Sequence, residues 1–332
     1  MATVHTSHRT SPGTGADPGT GTGTGTANGP AARGSRRPLT RSAREAVAGW
    51  LFVAPSTLGM LVFLVVPMAA SVVVSFFRVS GFGDQRFVGL ENYRRLLHDP
   101  VFGSSLATTG LFTVLFVPLL FTASLGLALL LQKRRPLIGL WRSLVFAPHV
   151  VSLVVVGLVW QFLLTDHVGV VNRVLDGLGL PAPSWLGNPA FALPAVVLIS
   201  VWFFMGYYMV IFLNGLNDIP ASYYEAARID GAGRWRSFRH VTWPLLRPTS
   251  LFVLVMTTLT AIGAAGVFDL IYVMTKGGPD YGTQVVMFYI YQRAFQLNDF
   301  GYSSAMAAVV SALLLLVMFV MLRLTRGGKV DA

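Results

Sequence analysis

The chain has 332 residues, of which 54% are hydrophobic and 12% charged, with positive mean hydropathy; this excludes an ordinary soluble domain and indicates a polytopic membrane protein. Its net charge of +11 would direct a soluble chain toward nucleic acid, but no nucleic-acid role is expected here, because where the basic residues lie matters more than their sum. The absence of cysteine rules out disulfides and thiolate metal sites and leaves the redox compartment open.

In chain order, residues 1–48 read as a separate disordered cytoplasmic tail. The Gly-Thr alternation of 19–26 has too little apolar surface nearby to order itself. Arg33, Arg36, Arg37, Arg41 and Arg44 then precede the first apolar run, suited to anionic lipid and to holding the amino terminus inside. The tail is too long, and the run from Trp50 too extended, for a secretory signal peptide. Six stretches long enough to span follow, at 50–77, 107–131, 143–164, 191–213, 250–273 and 302–322. With the amino terminus inside, 18 of the 25 Lys and Arg fall on the cytoplasmic side, including Lys133-Arg134-Arg135, while acids divide evenly. Basic residues set orientation and acids hardly do, so both termini are expected in the cytoplasm. Pro67, Pro118, Pro148 and Pro194 lie in or beside spans, where proline can kink a helix and free carbonyls.

Few polar groups enter these spans. His149 reads as a satisfied histidine near the inner end of the third span. Asp166-His167 is an outer-loop pair with no third ligand, so no metal site is expected. The fourth span carries Trp202, Phe203, Phe204, Tyr207, Tyr208 and Asn214, a mixture of stacking faces and hydrogen-bonding groups that suits a sugar route and equally suits helix packing. Tyr207 and Tyr208 are the substrate-pathway candidates from that span. Asp269 is the one acid placed within a span, a functional candidate by default, with snorkelling or capping of a helix irregularity as the alternative. No set of nucleophile, base and orienting group stands out, and no enzyme activity is expected.

Between the fourth and fifth spans lies a polar loop, 215–249. Ser222-x-x-Glu225 fits a capping box, Pro220 suits a helix start, and helix formers run to Ile229. Asp230-Gly231-Ala232-Gly233 reads as a turn. A second short helix from Arg234 would place Trp235 and Phe238 on one face, with Pro244 and Pro248 closing it. The product is an elbow of small residues open to another protein; a lipid-surface anchor built on Trp235, Trp243 and the arginines is the alternative.

Glu225-Ala226-Ala227, three residues, Gly231, nine residues, then Val241-Thr242-Trp243-Pro244 resembles the coupling loop of ABC-importer permeases, with Val241 and Trp243 where that family usually has Ile and Leu. Phe87-Val88-Gly89-Leu90-Glu91-Asn92-Tyr93, Gly215-Leu216 with Ile219-Pro220, Phe268–Tyr272, Thr275-x-Gly277-Gly278-Pro279, and Ala294-Phe295 with Phe300-Gly301-Tyr302 and Ala305 extend the resemblance, over about 49–325, to the carbohydrate (maltose- and glycerol-phosphate-transporter-like) branch. The resemblance implies an all-α membrane protein with six transmembrane helices. One accessory span and outer loop (49–102) precede a five-helix permease core (103–325). It implies a bacterial inner-membrane location, and a sugar or sugar derivative as substrate. The partners it implies are a second permease subunit, an ABC ATPase dimer, an extracytoplasmic solute-binding protein and the bilayer. Coupling to the ATPase would fall on Glu225, Ala226, Ala227, Asp230, Gly231 and Pro244. No cofactor is expected in this chain. ATP and magnesium would be held by the ATPase, since the nearest approach to a phosphate-binding loop, Gly277 to Thr283, lacks the lysine. The alternatives are an ATP-independent secondary transporter or facilitator, which would call for inverted repeats and ion-coupling residues, and an ABC permease for a non-sugar solute.

Overall fold

A computed structural model describes residues 41–79, 81, 83, 85–132, 136–166, 168–263 and 267–326. The Gly-Thr tail, the Lys133–Arg135 cluster and His167 lie outside these residues. The chain divides into two units, up to Leu58 and from Gly59. The described part of the first is helical, within α1 (Arg41–Met60), and Trp50, Leu51 and Phe52 on it are exposed.

The second unit opens with a π-helical turn, Leu61–Val65, and α2 (Val66–Val74). A short antiparallel hairpin of β1 (Phe77–Val79) and β2 (Gln85–Phe87) follows, pairing Phe77 with Phe87. Helix α3 (Glu91–Leu97) is tied back to the end of α2 by Asn92, whose amide donates to the carbonyls of Ser75 (2.8 Å) and Phe77 (2.9 Å). The Phe-Val-Gly-Leu-Glu-Asn-Tyr stretch is thus a structural clasp.

The core is built on α4 (Pro100–Leu131) and α8 (Pro189–Asn217), which pack along much of their length. Phe112, Phe116 and Leu120 from one, and Met209 and Phe212 from the other, are fully buried between them. Lipid tails are as apolar as these side chains, so close packing holds the pair. Small polar residues let the backbones approach: Ser124 and Ser200 are buried and return their hydroxyls to the carbonyls of Leu120 and Val196 on their own helices.

Between α4 and α8 the chain forms α5 (Ile138–Phe146), a 3₁₀ turn (Ala147–Val150), α6 (Leu153–Leu163) and, in the outer loop, α7 (Val170–Gly177). After α8 come α9 (Ala221–Ile229), α10 (Arg234–Ser237), a π turn (Phe238–Thr242) and α11 (Trp243–Leu245). Helix α12 (Arg247–Ile262) packs on α4, and α13 (Val267–Met274) on α6. Helix α14 (Val286–Tyr291), a π turn (Gln292–Gln296) and α15 (Phe300–Arg326) complete the described chain.

Among the described residues, five helical segments are long and apolar enough to cross a membrane: Gly49–Val74, Pro100–Leu131, Pro189–Asn217, Arg247–Met274 and Phe300–Arg323. The stretch expected to be the third span, 143–164, departs from a straight helix. It bends by 94° between Ile138–Val150 and Leu153–Leu163. Val151 and Ser152 are extended (ψ 147° and 131°) just after Pro148, whose ring supplies no backbone donor to carry the helix on.

Candidate functional site

The loop after α8 folds into the expected elbow, with different local devices. The Ser222–Glu225 capping box does not form. Pro220 is the N-cap residue of α9, and no side chain caps that end. The other end of α9 is closed by backbone alone: Gly231 N–H donates to the Arg228 carbonyl (3.0 Å) and Ala232 N–H to the Ala227 carbonyl (2.8 Å). This is the Schellman pattern, and it needs a left-handed residue at Gly231, where φ is +71°. Trp235 and Phe238 stack at 5.7 Å. Pro244 and Pro248 do not close the second helix, but stand in the first turns of α11 and α12, where a missing N–H costs nothing. Glu225, Ala226, Asp230 and Gly231 are exposed, Ala227 and Pro244 half-buried. Tyr223, Ile229 and Trp235 add large exposed apolar surface beside them. The elbow is rigid at its turn and open on its outer side, an arrangement suited to seating another protein.

The second set of groups gathers at the break in the third span. Gly206 on α8 faces α5 so closely that a Cβ there would lie 2.2 Å from the Val145 carbonyl oxygen. This approach brings the 3₁₀ turn against α8 and sets the His149 ring among Phe203 (5.1 Å), Phe204 (5.6 Å) and Tyr207 (4.8 Å). His149 is not the satisfied histidine expected from sequence: its Nδ1 is buried without a hydrogen-bond partner among the described residues. Tyr207 and Tyr208 diverge around α8. Tyr207 is 39% exposed and lies on His149, whereas Tyr208 is 3% exposed and its hydroxyl meets Thr260 Oγ1 on α12 at 3.2 Å. Trp202 packs on Trp160 instead, in a separate apolar crevice. A half-open aromatic wall of this kind can stack on a ring through Tyr207, while the buried Nδ1 lies out of a solute's reach.

Asp269 stands in the first turn of α13, partly buried. No hydrogen bond joins it to Tyr207 or Tyr208 among the described residues, so the three candidates do not form one cluster. Asp166 accepts a hydrogen bond from Ser184 Oγ (2.5 Å), a loop tie.

Sequence reasoning missed a polar node at the Pro100 end of α4. Asp99 caps α4 through Oδ1, bonding the amides of Val101 and Phe102, while Oδ2 accepts the hydroxyls of Tyr289 and Tyr302, each at 2.6 Å. Burial pushes this carboxyl up, but those four hydrogen bonds outweigh it and hold it below the usual range. Burial and the Asp99 carboxylate together push the Tyr289 phenol up to about 12. Arg293 donates to the Tyr289 oxygen (2.6 Å), and Arg95 covers the Tyr302 ring and pairs with Asp299 (2.8 Å). The signal was present: Asp-Pro ahead of a long apolar run marks a helix start. The node clamps α3, α4, α14 and α15 together, away from the aromatic wall.

Comparison with known proteins adds the following. Residues 120–327 match the family described as binding-protein-dependent transport system inner membrane component. The sulfoquinovosyl glycerol transport system permease protein SmoG of Agrobacterium fabrum is 36% identical over 83% of this chain and 89% of its own length. The diacetylchitobiose uptake system permease protein NgcF of Streptomyces coelicolor is 33% identical over 90% of this chain and 89% of its own. Among solved structures, a chain of a bacterial alginate ABC transporter, crystallised in complex with an alginate pentasaccharide-bound periplasmic protein, superposes with a TM-score of 0.76 at 21% identity. The match covers 87% of this chain and 97% of that one, a likeness of fold.

Proposed function

We infer, from the premise that this chain belongs to the family of binding-protein-dependent transport system inner membrane components, that it is the permease subunit of a sugar-importing ABC transporter. It works with a second permease, an ATPase dimer and an extracytoplasmic binding protein. The substrate class is a sugar or sugar derivative, the class that both named relatives carry. The observation that carries the reading is the exposed, glycine-locked elbow of 221–245, a rigid contact for a cytoplasmic ATPase at the foot of α8 and α12.

The mechanism follows from the geometry. ATP and magnesium, bound by the ATPase, supply the energy. Closure of that dimer favours one arrangement of the elbow because the two states hold it differently. The elbow joins α8 to α12, which carry the facing partners Tyr208 and Thr260, so its displacement reaches the aromatic wall. There Tyr207 receives the sugar by its flat face, its ring packed on that of His149 at 4.8 Å. Glu225, Ala226, Ala227, Asp230 and Gly231 form the docking surface, with Pro244 starting the return.

The test is reconstitution in proteoliposomes with its second permease, ATPase and binding protein. Labelled diacetylchitobiose, sulfoquinovosyl glycerol and maltose are offered outside. Accumulation of at least one, requiring internal ATP and the binding protein, is expected. Uptake driven by an ion gradient without ATP would replace this reading with a secondary transporter, and uptake of amino acids alone would replace the sugar.

Orientation is tested separately. With both termini cytoplasmic, Leu178→Cys in the loop carrying α7 should react with an impermeant thiol reagent in intact cells. Gly233→Cys in the elbow should react only after lysis; both positions are exposed and the chain has no native cysteine. Labelling of Gly233→Cys from outside would place the elbow on the wrong side for an ATPase.

A further inference from the structure

We propose that the chain carries a second carbohydrate site, an entry subsite in the cleft between α6, α13 and the turn after α14, separate from the aromatic wall. The cleft is a cavity of about 580 Å³, walled by Gln161, Tyr272, Lys276, Phe288, Gln292 and Gln296, within the volume range of small-molecule sites. Its lining mixes flat aromatic faces with amides, the combination that takes the apolar face and the hydroxyls of a sugar ring. The inference rests on the sugar reading above.

Three observations support a built site. The Tyr272 ring is fixed in place, stacked on Phe268 at 5.7 Å and met edge-on by Tyr291 at 5.5 Å, yet it remains 43% exposed toward the cleft. Gln284, 2% exposed, donates Nε2 to Gln292 Oε1 (3.1 Å), which fixes that amide and turns its own NH₂ free. The side chains of Gln161, Lys276 and Gln296 make no hydrogen bond or ion pair among the described residues, so donors and acceptors converge there uncommitted. An apolar helix laid over the cleft would strand all of them, at a cost that a polyhydroxylated ligand avoids.

The assembled importer, in nanodiscs with ATP, is equilibrated with labelled diacetylchitobiose, sulfoquinovosyl glycerol or maltose, and bound sugar is counted per complex. Wild type should hold two sugars. Tyr272→Leu and Gln161→Leu, on different helices, should each weaken the outer site about tenfold, loss of one stacking face or one hydrogen bond, leaving one sugar at the same concentration. Tyr207→Leu should retain the outer sugar. A single sugar in wild type, lost with Tyr207→Leu and unaffected by Tyr272→Leu and Gln161→Leu, overturns the entry subsite while the sugar reading stands. Failure of every probe to bind or to be taken up overturns both.

Discussion

Gly231→Val should abolish uptake in an importer that still assembles in the membrane. A Cβ at Gly231 meets nothing within 4 Å, so the damage is torsional. The backbone sits at φ +71°, which a β-branched residue adopts only at about 1–3 kcal/mol. Relief would unwind the last turn of α9, breaking the bonds from Gly231 and Ala232 to the Arg228 and Ala227 carbonyls. It would also swing Glu225 to Ala227 off the proposed ATPase contact. Gly231→Asn, which tolerates the left-handed region, should keep a substantial part of transport. Three readouts separate the cases: membrane insertion, sugar uptake, and stimulation of ATP hydrolysis by the loaded binding protein. Insertion should be normal and the other two lost in Gly231→Val. Normal uptake by that variant would reduce the elbow to a surface anchor.

The second large effect is a contrast between neighbours. Tyr207→Leu should lower uptake about tenfold or more, since it removes a stacking face and one hydroxyl worth together roughly 1–3 kcal/mol. Yield of the intact complex should not change, because Tyr207 is 39% exposed and supports no hydrogen bond in the core. Tyr208→Leu should do the reverse: the residue is 3% exposed and bonds Thr260, so its loss loosens α8 from α12 and lowers yield. His149→Leu should behave like Tyr207→Leu, since it removes the ring on which Tyr207 packs and Nδ1 has no partner among the described residues to lose. Normal transport by both Tyr207→Leu and His149→Leu would remove the aromatic wall from the pathway.

Much of this architecture was legible because membranes simplify the code. Long apolar runs located the spans, and Gly231 marked the elbow because few other residues accept its φ. Three features were hidden for identifiable reasons. The break at Val151–Ser152 falls inside a run that is apolar apart from His149 and Ser152, so average hydropathy is blind to it and Pro148 alone was ambiguous. The polar node on Asp99 depends on Tyr289 and Tyr302, about 200 positions away in the chain, a pairing that no local pattern encodes. The capping box at Ser222 failed because Pro220 took the N-cap position, and nothing in the spacing distinguishes the two starts.

The bend in the third span also alters the electrical and solvation barrier that a polar solute meets. Helix α6 has 11 residues, about 16 Å of rise, roughly half of a hydrocarbon layer about 30 Å thick. Whichever half stands along the membrane normal, the other, at 94° to it, lies nearly in the plane. On this flank, then, protein covers the whole thickness with half a helix, and the carbonyls at the corner need water or protein to satisfy them. A polar solute on this flank therefore meets backbone acceptors at the corner, where a straight helix would present only apolar side chains.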